Sequence, residues 1–351
     1  MPPNKAAWLP EAKAYPLQIS EAPYTPPRSN EIVVQNAAIG LNHIDYKIQS
    51  FAFIPFPYPL ILGEEVAGTV VEVGSDVTRF KKGDSVLGLT AAFLTKKNSD
   101  AGFQQYTLVE ENIASTIPKG LSFETAAGIP LGVATAAAGL FQEGYLGLRL
   151  PCASPVPKNG HTVLIWGGAS AVGSSAIQLA VNAGYEVITT ASPKNFDLIK
   201  RLGASEVFDY NSPTVVQDLV DALSSKSFAG ALDAVNSGGA IQASTEVLSK
   251  LNGSKSLATV SVIPDGLPET VIVKRVLATT IKDNAVGKAV FQEFLPAALA
   301  DGRFVPLETV AVGKGLESIQ SGLDTLKKGV SAKKLVVTLW MGPETHVTNE
   351  F

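Results

Sequence analysis

The stretch from Val163 to Ala180, VLIWGGASAVGSSAIQLA, constrains the fold of this chain more than any other feature. Its first four residues are apolar and predict a short buried strand. A turn of small residues follows at 167–173, and good helix formers come after it. This order is typical of a dinucleotide-binding unit, because small residues let a pyrophosphate approach the backbone at a helix N-terminus. We expect backbone contacts to the pyrophosphate from Ala169, Ser170, Ala171 and Val172. A tight turn in a parallel sheet without a ligand is the alternative.

The end of the next strand predicts which dinucleotide binds. That strand is predicted at Glu186–Thr190, and Ser192 and Lys194 follow it. In a βαβ unit this position lies beside the adenosine ribose, where an acid would bind a free 2′-hydroxyl. A serine and a lysine suit a 2′-phosphate instead, so the sequence predicts NADP(H) as the cofactor. The alternative for Lys194 is a solvated surface lysine.

Composition limits the class of protein. The 351 residues favour two domains, and 46% hydrophobic residues suffice for two buried cores. A net charge of −4 gives no reason to expect nucleic acid or a membrane surface as partner. Cys152 is the only cysteine, which excludes an intrachain disulfide. No secretory signal is evident, and no apolar run approaches the roughly 18 residues of a membrane span. We therefore expect a cytoplasmic protein.

The pattern of predicted elements changes along the chain. Short strands are predicted at Glu31–Val34, Val66–Val73, Ser85–Leu87 and Phe103–Val109, with Gly and Pro turns between them, which favours a compact barrel. From 163 to 259 strands and helices alternate, which predicts a doubly wound parallel sheet. Helices are then predicted at 291–300 and 315–328, a closing strand at 334–339 and a loose tail at 341–351.

Several motifs together resemble one enzyme family. They are LGEEVAGTV at 62–70, FKKGDSV at 80–86, GFQQY at 102–106, KRLGA at 200–204 and AKKLVV at 332–337. With the glycine turn, they resemble the medium-chain dehydrogenase/reductase superfamily over nearly the whole chain. The likeness is to its zinc-free quinone oxidoreductase and enoyl reductase branch, above all to fungal trans-acting polyketide enoyl reductases and toxin-cluster relatives. The cues for that finer likeness are Asn42-x-x-Asp45-x-Lys47, Thr135, the loop at 151–157, and the segments 192–197 and 208–210.

The resemblance implies an α/β fold of two domains. A GroES-like β-barrel catalytic domain is expected at 1–122 and 300–351. A Rossmann-type doubly wound parallel sheet, which binds the cofactor, is expected at 123–299. The active site would lie in the cleft between the domains.

The resemblance also implies the site residues. Lys47, Thr135 and Asn42 are the expected catalytic residues. The cofactor contacts that it adds to those above are Ile44, Asp45, Tyr46, Lys47, Pro193, Asn195, Tyr210, Val235, Asn236, Ser331 and Ala332. Ser192, Lys194 and Tyr210 would hold the 2′-phosphate, and Ala332 stands where relatives often have Gly. A helix-capping acid is an equally good interpretation of Asp45. Phe51, Phe53, Phe56, Tyr58 and Phe93 line an apolar substrate pocket or belong to the ordinary core.

No metal is expected. The zinc-dependent relatives have a catalytic Cys where this chain has Asn42, and a His where it has Glu64. A catalytic zinc needs three protein ligands, and a structural zinc lobe needs four cysteines. His43 and Glu65 are more readily interpreted as hydrogen-bonded structural groups.

The expected function is NADPH-dependent, zinc-independent reduction of the C=C bond of an α,β-unsaturated carbonyl or enoyl thioester. The alternatives are a quinone oxidoreductase and a non-catalytic NADPH-binding protein, and a zinc alcohol dehydrogenase is disfavoured. The expected partners are a small-molecule or carrier-bound substrate and a polyketide synthase. The protein is expected to be a monomer or a homodimer.

Overall fold

The computed structural model describes residues 2–236 and 239–339. Its centre is a parallel sheet of six strands in the order β11-β10-β9-β12-β13-β14. The chain runs outward from β9 on one side and from β12 on the other. Neighbouring strands at this reversal leave a crevice at their carboxyl ends, where ligands of doubly wound sheets bind. The predicted doubly wound sheet is therefore confirmed.

The strands have these bounds: β1 Asn4–Leu9, β2 Gln18–Ala22, β3 Glu31–Gly40, β4 Leu60–Ile61, β5 Glu65–Val73, β6 Ser85–Leu89, β7 Tyr106–Glu110, β8 Ala114–Thr116, β9 His161–Trp166, β10 Glu186–Ala191, β11 Glu206–Asp209, β12 Ser227–Asp233, β13 Ser256–Thr259, β14 Ile272–Arg275, β15 Glu308–Lys314 and β16 Lys333–Thr338.

The α-helices have these bounds: α1 His43–Phe51, α2 Ala92–Thr95, α3 Phe123–Ala127, α4 Pro130–Phe141, α5 Ala171–Asn182, α6 Phe196–Arg201, α7 Val215–Leu223, α8 Ala240–Lys250, α9 Ala285–Gly287, α10 Leu295–Ala300 and α11 Ile319–Lys327. A π-helical segment, Lys288–Phe294, joins α9 to α10.

The second large sheet is built mainly from the first part of the chain. It has seven strands, β15-β16-β3-β5-β6-β8 with β7 paired to β3, and a smaller sheet, β2-β1-β4, lies beside it. Strand β16 pairs antiparallel with β3, so the end of the chain returns to the sheet that the beginning built. The late strands thus lie with the N-terminal sheet, as the expected domain organisation requires. The boundaries at 122/123 and 299/300 stay a prediction.

Helix α4 packs between the two large sheets. One apolar core contains Leu87 of β6, Val133 and Ala137 of α4, and Ile165 of β9. Within the described residues, the segment Phe123–Phe141 is long and apolar enough to cross a membrane, and 72% of an 18-residue stretch of it is buried inside the protein. Contrary to the sequence expectation, a stretch of spanning length therefore exists. Its apolar residues are explained by packing between two sheets.

The structure corrects several predicted elements. The strand predicted at Phe103–Val109 begins only at Tyr106, because Phe103 is fully buried and Gln104 makes just an isolated bridge to Ala6. Pro130 opens α4, where its missing N–H has no cost. Helix α1 and strands β14 and β15 were not predicted. The tail predicted at 341–351 lies outside the described residues.

Candidate active site

The glycine turn forms one wall of the crevice. Strand β9 ends at Trp166 and α5 begins at Ala171, with Ser170 as its N-cap. The Ser170 Oγ accepts a hydrogen bond from the Gly173 N–H (2.9 Å) and donates one to the carbonyl oxygen of Ala234 (3.0 Å), which follows β12. A Cβ at position 173 would collide with the Gly167 carbonyl oxygen, so α5 can approach this closely only with glycine there.

This turn fits a pyrophosphate. The four residues 169–172 are only partly buried. The first N–H groups of α5 have no acceptor within the helix, and they carry the positive end of its dipole. The predicted contacts at Ala169, Ser170, Ala171 and Val172 are therefore partly exposed at a helix start, although the Ser170 N–H already donates to the Gly167 carbonyl oxygen (3.1 Å).

The end of the crevice that is predicted to hold the adenosine has a pair of hydroxyl groups. Strands β10 and β11 are parallel, with Ala191 opposite Asp209, so the residues that follow each strand are neighbours. The Ser192 Oγ lies 2.6 Å from the Tyr210 hydroxyl. Pro193 and Lys194 are exposed, and Tyr210 is 42% exposed. We call Ser192, Lys194 and Tyr210 the adenosine clamp; an ammonium group and two hydroxyls on an open surface suit a phosphate.

The segment before β16 reaches the same end of the parallel sheet. The Asn195 side chain donates a hydrogen bond to the Ser331 Oγ over 3.3 Å, which joins residues 136 positions apart. Ala332 follows in a left-handed conformation, with φ of 53°. A glycine adopts this conformation readily and an alanine does not. Two predicted contact groups, Asn195 and Ser331–Ala332, are thus brought together by the fold.

Val235 and Asn236 follow β12 at the reversal of strand order. The Val235 N–H donates to the Asp233 carboxylate (3.1 Å), which also accepts from the hydroxyls of Thr259 (2.7 Å) and Ser261 (3.0 Å). Burial raises the pKa of the Asp233 carboxyl, although these donors oppose the shift. Asp233 therefore fixes the backbone at the position where Val235, half-buried, and Asn236, exposed, meet the crevice.

Helix α1 carries the residues expected at the nicotinamide end. Ile44, Tyr46 and Lys47 are half-buried. In the described part of the chain, no carboxylate forms a salt bridge with Lys47. Burial lowers the pKa of the Lys47 ammonium group, and the positive charge of Arg275 lowers it further. Sequence reasoning did not single out Arg275, which lies at the end of the unpredicted strand β14.

Asp45 does not face the cleft as a cofactor contact. Its side chain is fully buried, and its carboxylate accepts hydrogen bonds from the backbone N–H groups of Asn42 (2.8 Å) and Gly63 (3.2 Å). It closes the capping box at the start of α1, so the alternative interpretation of this residue was correct. Burial raises the pKa of the Asp45 carboxyl to about 7.

Asn42 is engaged on both sides of its amide. Its Nδ2 donates to the Glu65 carboxylate (2.9 Å), and its Oδ1 accepts a hydrogen bond from the Lys334 ammonium group. Lys334 also forms a buried salt bridge with Glu65, at 2.5 Å. We call Asn42, Asp45, Glu65 and Lys334 the buried junction. The second N–H of its Nδ2 meets the Gly40 carbonyl oxygen only at 3.5 Å, and the side chain is buried, so Asn42 bonds chiefly within the protein.

Thr135 is buried in α4, one turn after Leu131. Its hydroxyl donates to the Leu131 carbonyl oxygen over 2.7 Å. Because the single hydroxyl proton is used within the helix, Thr135 can meet a ligand only as an acceptor. The carboxamide NH₂ of a nicotinamide is a donor of the matching kind.

Sequence reasoning missed the importance of Glu65 and Lys334. Lys334 precedes the apolar run Leu335-Val336-Val337 of β16, where an unpaired charge is costly. That placement was a signal that a buried acid must lie opposite. Glu64, next to Glu65, is also buried, and burial raises the pKa of its carboxyl well above the usual range.

Of the five aromatic residues predicted as pocket or core, Phe56, Tyr58 and Phe93 lie in or against the core, and the other two are exposed. Phe56 is in the core and packs edge-to-face on Phe93, with ring centroids 5.9 Å apart. Phe51 and Phe53 are exposed, at 60% and 46%. Among residues 2–236 and 239–339, no cluster of three His, Cys, Asp or Glu side chains is suited to hold a metal ion.

Comparison with known proteins agrees with this geometry. Residues 28–119 match the alcohol dehydrogenase GroES-like domain, and residues 171–298 match the zinc-binding dehydrogenase family. The chain is 48% identical to the dehydrogenase pigH of Monascus ruber, over 97% of this chain and all of that one. It is 40% identical to the trans-enoyl reductase himH of Aspergillus japonicus, over 96% and 97% of the two chains.

A solved structure shares the fold. The quinone oxidoreductase of Pseudomonas syringae aligns with a TM-score of 0.72 and 24% identity, over 95% of this chain and 99% of that one. With two family models placed on the two sheets and relatives that extend over nearly its whole length, the chain is an oxidoreductase of the medium-chain dehydrogenase/reductase superfamily, with fungal trans-enoyl reductases among its relatives.

Proposed function

We propose that this protein is an NADPH-dependent, zinc-independent reductase of the C=C bond of an α,β-unsaturated carbonyl or enoyl thioester. The observation that carries the proposal is the buried Glu65 carboxylate, which is bonded to the start of α1, to α4 and to β16, the elements that carry or follow Lys47, Thr135 and Ser331–Ala332. The relatives named trans-enoyl reductases support the enoyl type.

NADPH supplies a hydride to the electrophilic carbon when it is bound. Conjugate addition then leaves negative charge on an enolate oxygen, and a proton from water or a side chain completes the reduction at the α-carbon. Lys47 carries three N–H donors on a half-buried side chain, with no salt bridge to a carboxylate in the described residues, and it suits that oxygen. Thr135 orients the carboxamide as an acceptor. Asn42 supports α1 and does not contact the substrate.

The same arrangement disfavours reduction of an isolated ketone. An alkoxide concentrates its charge on one oxygen, and zinc-dependent relatives stabilise that charge with a Lewis acid. In this chain the Asn42 amide and the Glu65 carboxylate are both held by Lys334, an ammonium group that repels a cation. We therefore propose conjugate reduction in the cytoplasm, on a substrate that is free or bound to the carrier of a polyketide synthase.

The test offers NADPH or NADH with an enone, an enoyl thioester, a saturated ketone and a quinone, and identifies products by mass and NMR. The expected result is a saturated carbonyl compound from the enone or thioester, formed with NADPH in preference to NADH. An unsaturated alcohol would refute the proposal, and turnover of quinone alone would favour a quinone oxidoreductase. Tight NADPH binding without turnover of any of these would favour the non-catalytic alternative.

Independence from zinc is tested on the same preparation. Protein purified without added metal is analysed for zinc and then treated with a chelator. We expect a zinc content far below one ion per chain and unchanged activity, because the set of zinc ligands is missing. Activity that is lost to the chelator and restored by zinc would contradict the proposal.

A further inference from the structure

Glu65 lies where three segments of the chain meet. Its side chain is fully buried at the start of β5. One carboxylate oxygen accepts from the Asn42 Nδ2 (2.9 Å) at the beginning of α1 and pairs with Lys334 of β16 (2.5 Å). The other accepts from the Leu131 N–H (2.8 Å) in the first turn of α4.

Two of these segments carry a residue expected at the nicotinamide, and the third follows Ala332. Helix α1 carries Lys47. In α4, Leu131 joins Glu65 to Thr135, because its N–H donates to Glu65 and its carbonyl oxygen accepts from the Thr135 hydroxyl (2.7 Å). In β16, Lys334 follows Ala332 by two residues. The Glu65 carboxylate therefore contacts α4 and the start of α1, the helices that carry Thr135 and Lys47, and also β16, which follows Ala332.

The surrounding backbone is shaped to admit this pair. A Cβ at Gly40 of β3 would collide with the Glu65 carboxylate, and a Cβ at Gly128 would come within 2.8 Å of the Lys334 Cγ. Two glycines thus provide the space for the two charged side chains. A charge pair of this kind seldom stabilises a protein more than an apolar pair of the same volume would. Its presence calls for a role other than stability.

We infer that Glu65, held by Lys334, is a positioning residue for the nicotinamide half of the cofactor, and that it sets the spacing between Lys47 and Thr135. The inference rests on the proposed function, because it assumes the bound dinucleotide that the proposed function requires. Glu65 itself does not reach the reacting atoms. Its carboxylate orders the elements from which the contacting side chains project.

The test compares ligands that do or do not contain nicotinamide. Affinities for NADPH and for 2′,5′-ADP are measured by calorimetry on the wild type and on Glu65→Gln, which keeps shape and removes charge. We expect Glu65→Gln to weaken NADPH binding at least tenfold and to leave 2′,5′-ADP within twofold. Equal losses for both ligands, or a loss for neither, would overturn the inference.

A matched control has the same kind of carboxylate in the same sheet. Glu31 at the start of β3 is 1% exposed and paired with Arg28, but it touches neither α1 nor α4. Glu31→Gln should leave the ratio of the two affinities unchanged. If Glu65→Gln does not fold, Glu65→Asp takes its place, since it keeps the charge and withdraws the carboxylate from the Leu131 N–H. Lys334→Arg keeps the charge, so the ratio of the affinities for NADPH and 2′,5′-ADP should stay close to that of the wild type.

Turnover provides a second, separable measure. For an accepted enone, Glu65→Gln should lower kcat at least tenfold with KM for the enone within threefold, and the isotope effect from NADPH deuterated at C4 should rise. If the wild type reduces no substrate, the proposed function fails while the affinity ratio still decides the role of Glu65. If turnover is normal but the ratio does not change, the positioning role fails alone.

Discussion

The buried junction and the adenosine clamp are both polar clusters at the crevice, yet they differ in what surrounds them. In the junction, Asp45 and Glu65 are fully buried and their carboxylates are met by donors from four segments. In the clamp, Tyr210 is 42% exposed, and Ser192 and Tyr210 are linked to each other. A buried polar group must be satisfied by the protein itself, whereas an exposed one retains capacity for a ligand. Polar residues near a cofactor therefore fall into two classes that only burial separates.

The largest expected difference between the two clusters is in stability. Lys334→Met leaves the Glu65 carboxylate buried without its cation, and the breaking of a buried pair costs about 3–5 kcal/mol. Urea unfolding measures the change. The control is Lys333→Met, the neighbouring lysine, which is 45% exposed and paired at the surface with Glu308. An exposed pair contributes less than about 1 kcal/mol. Similar losses in the free energy of unfolding of the two variants would contradict the distinction between the buried pair and the surface pair.

A substitution in the adenosine clamp should change binding and leave stability almost unaltered. We expect Lys194→Ala to weaken NADPH binding by about 1.5–3 kcal/mol, the usual contribution of a hydrogen bond to a charged group, with little change for NADH. Titration of both cofactors measures this. Lys200→Ala, an exposed lysine of α6, serves as the control. Equal affinity of the unmutated protein for the two cofactors would contradict the assignment of the clamp to a 2′-phosphate.

Asp45 should make the stability of the folded protein depend on pH. Its pKa is about 7 in the folded protein and near 3.8 when unfolded, so the folded state holds the proton more tightly. The resulting stability is present below the unfolded value and is lost as the pH rises through about 7. Unfolding from pH 5 to 7.5 should show that Asp45→Asn loses less stability across this window than the wild type, by ~1 kcal/mol or more. Parallel curves would show that Asp45 does not titrate there.

The smallest expected effect concerns the segment that links the two clusters. Ala332 has φ of 53°, which costs an alanine about 1–2 kcal/mol and a glycine almost nothing. Since glycine also loses more entropy on folding, Ala332→Gly should stabilise the protein by about 0.5–1 kcal/mol. Thermal unfolding measures the change. The same substitution at Ala243, inside α8, should destabilise the protein; a loss at both positions would contradict the strained conformation of Ala332.

The sequence by itself predicted what depends on local pattern. The apolar run at 163–166 and the small-residue turn after it required a strand, a turn and a helix, and they are found as β9 and α5. The alternation of strands and helices to Thr259 required a parallel sheet, whose carboxyl edge brings Ser192 and Tyr210 together by register. Adjacency of residues that end neighbouring parallel strands follows from topology alone, so a sequence pattern suffices for it.

Only the tertiary structure decided which polar residues are available to a ligand. Asn42 and Asp45 resemble the motif of a site, but Glu65 and Lys334, far away along the chain, hold the amide of Asn42, and the backbone of residues 42 and 63 holds Asp45. Arg275 lies close enough to Lys47 to lower its pKa, because it ends strand β14, which no periodicity in the sequence predicted. Burial and long-range pairing depend on the packing of segments up to 292 residues apart, and no local pattern encodes that packing.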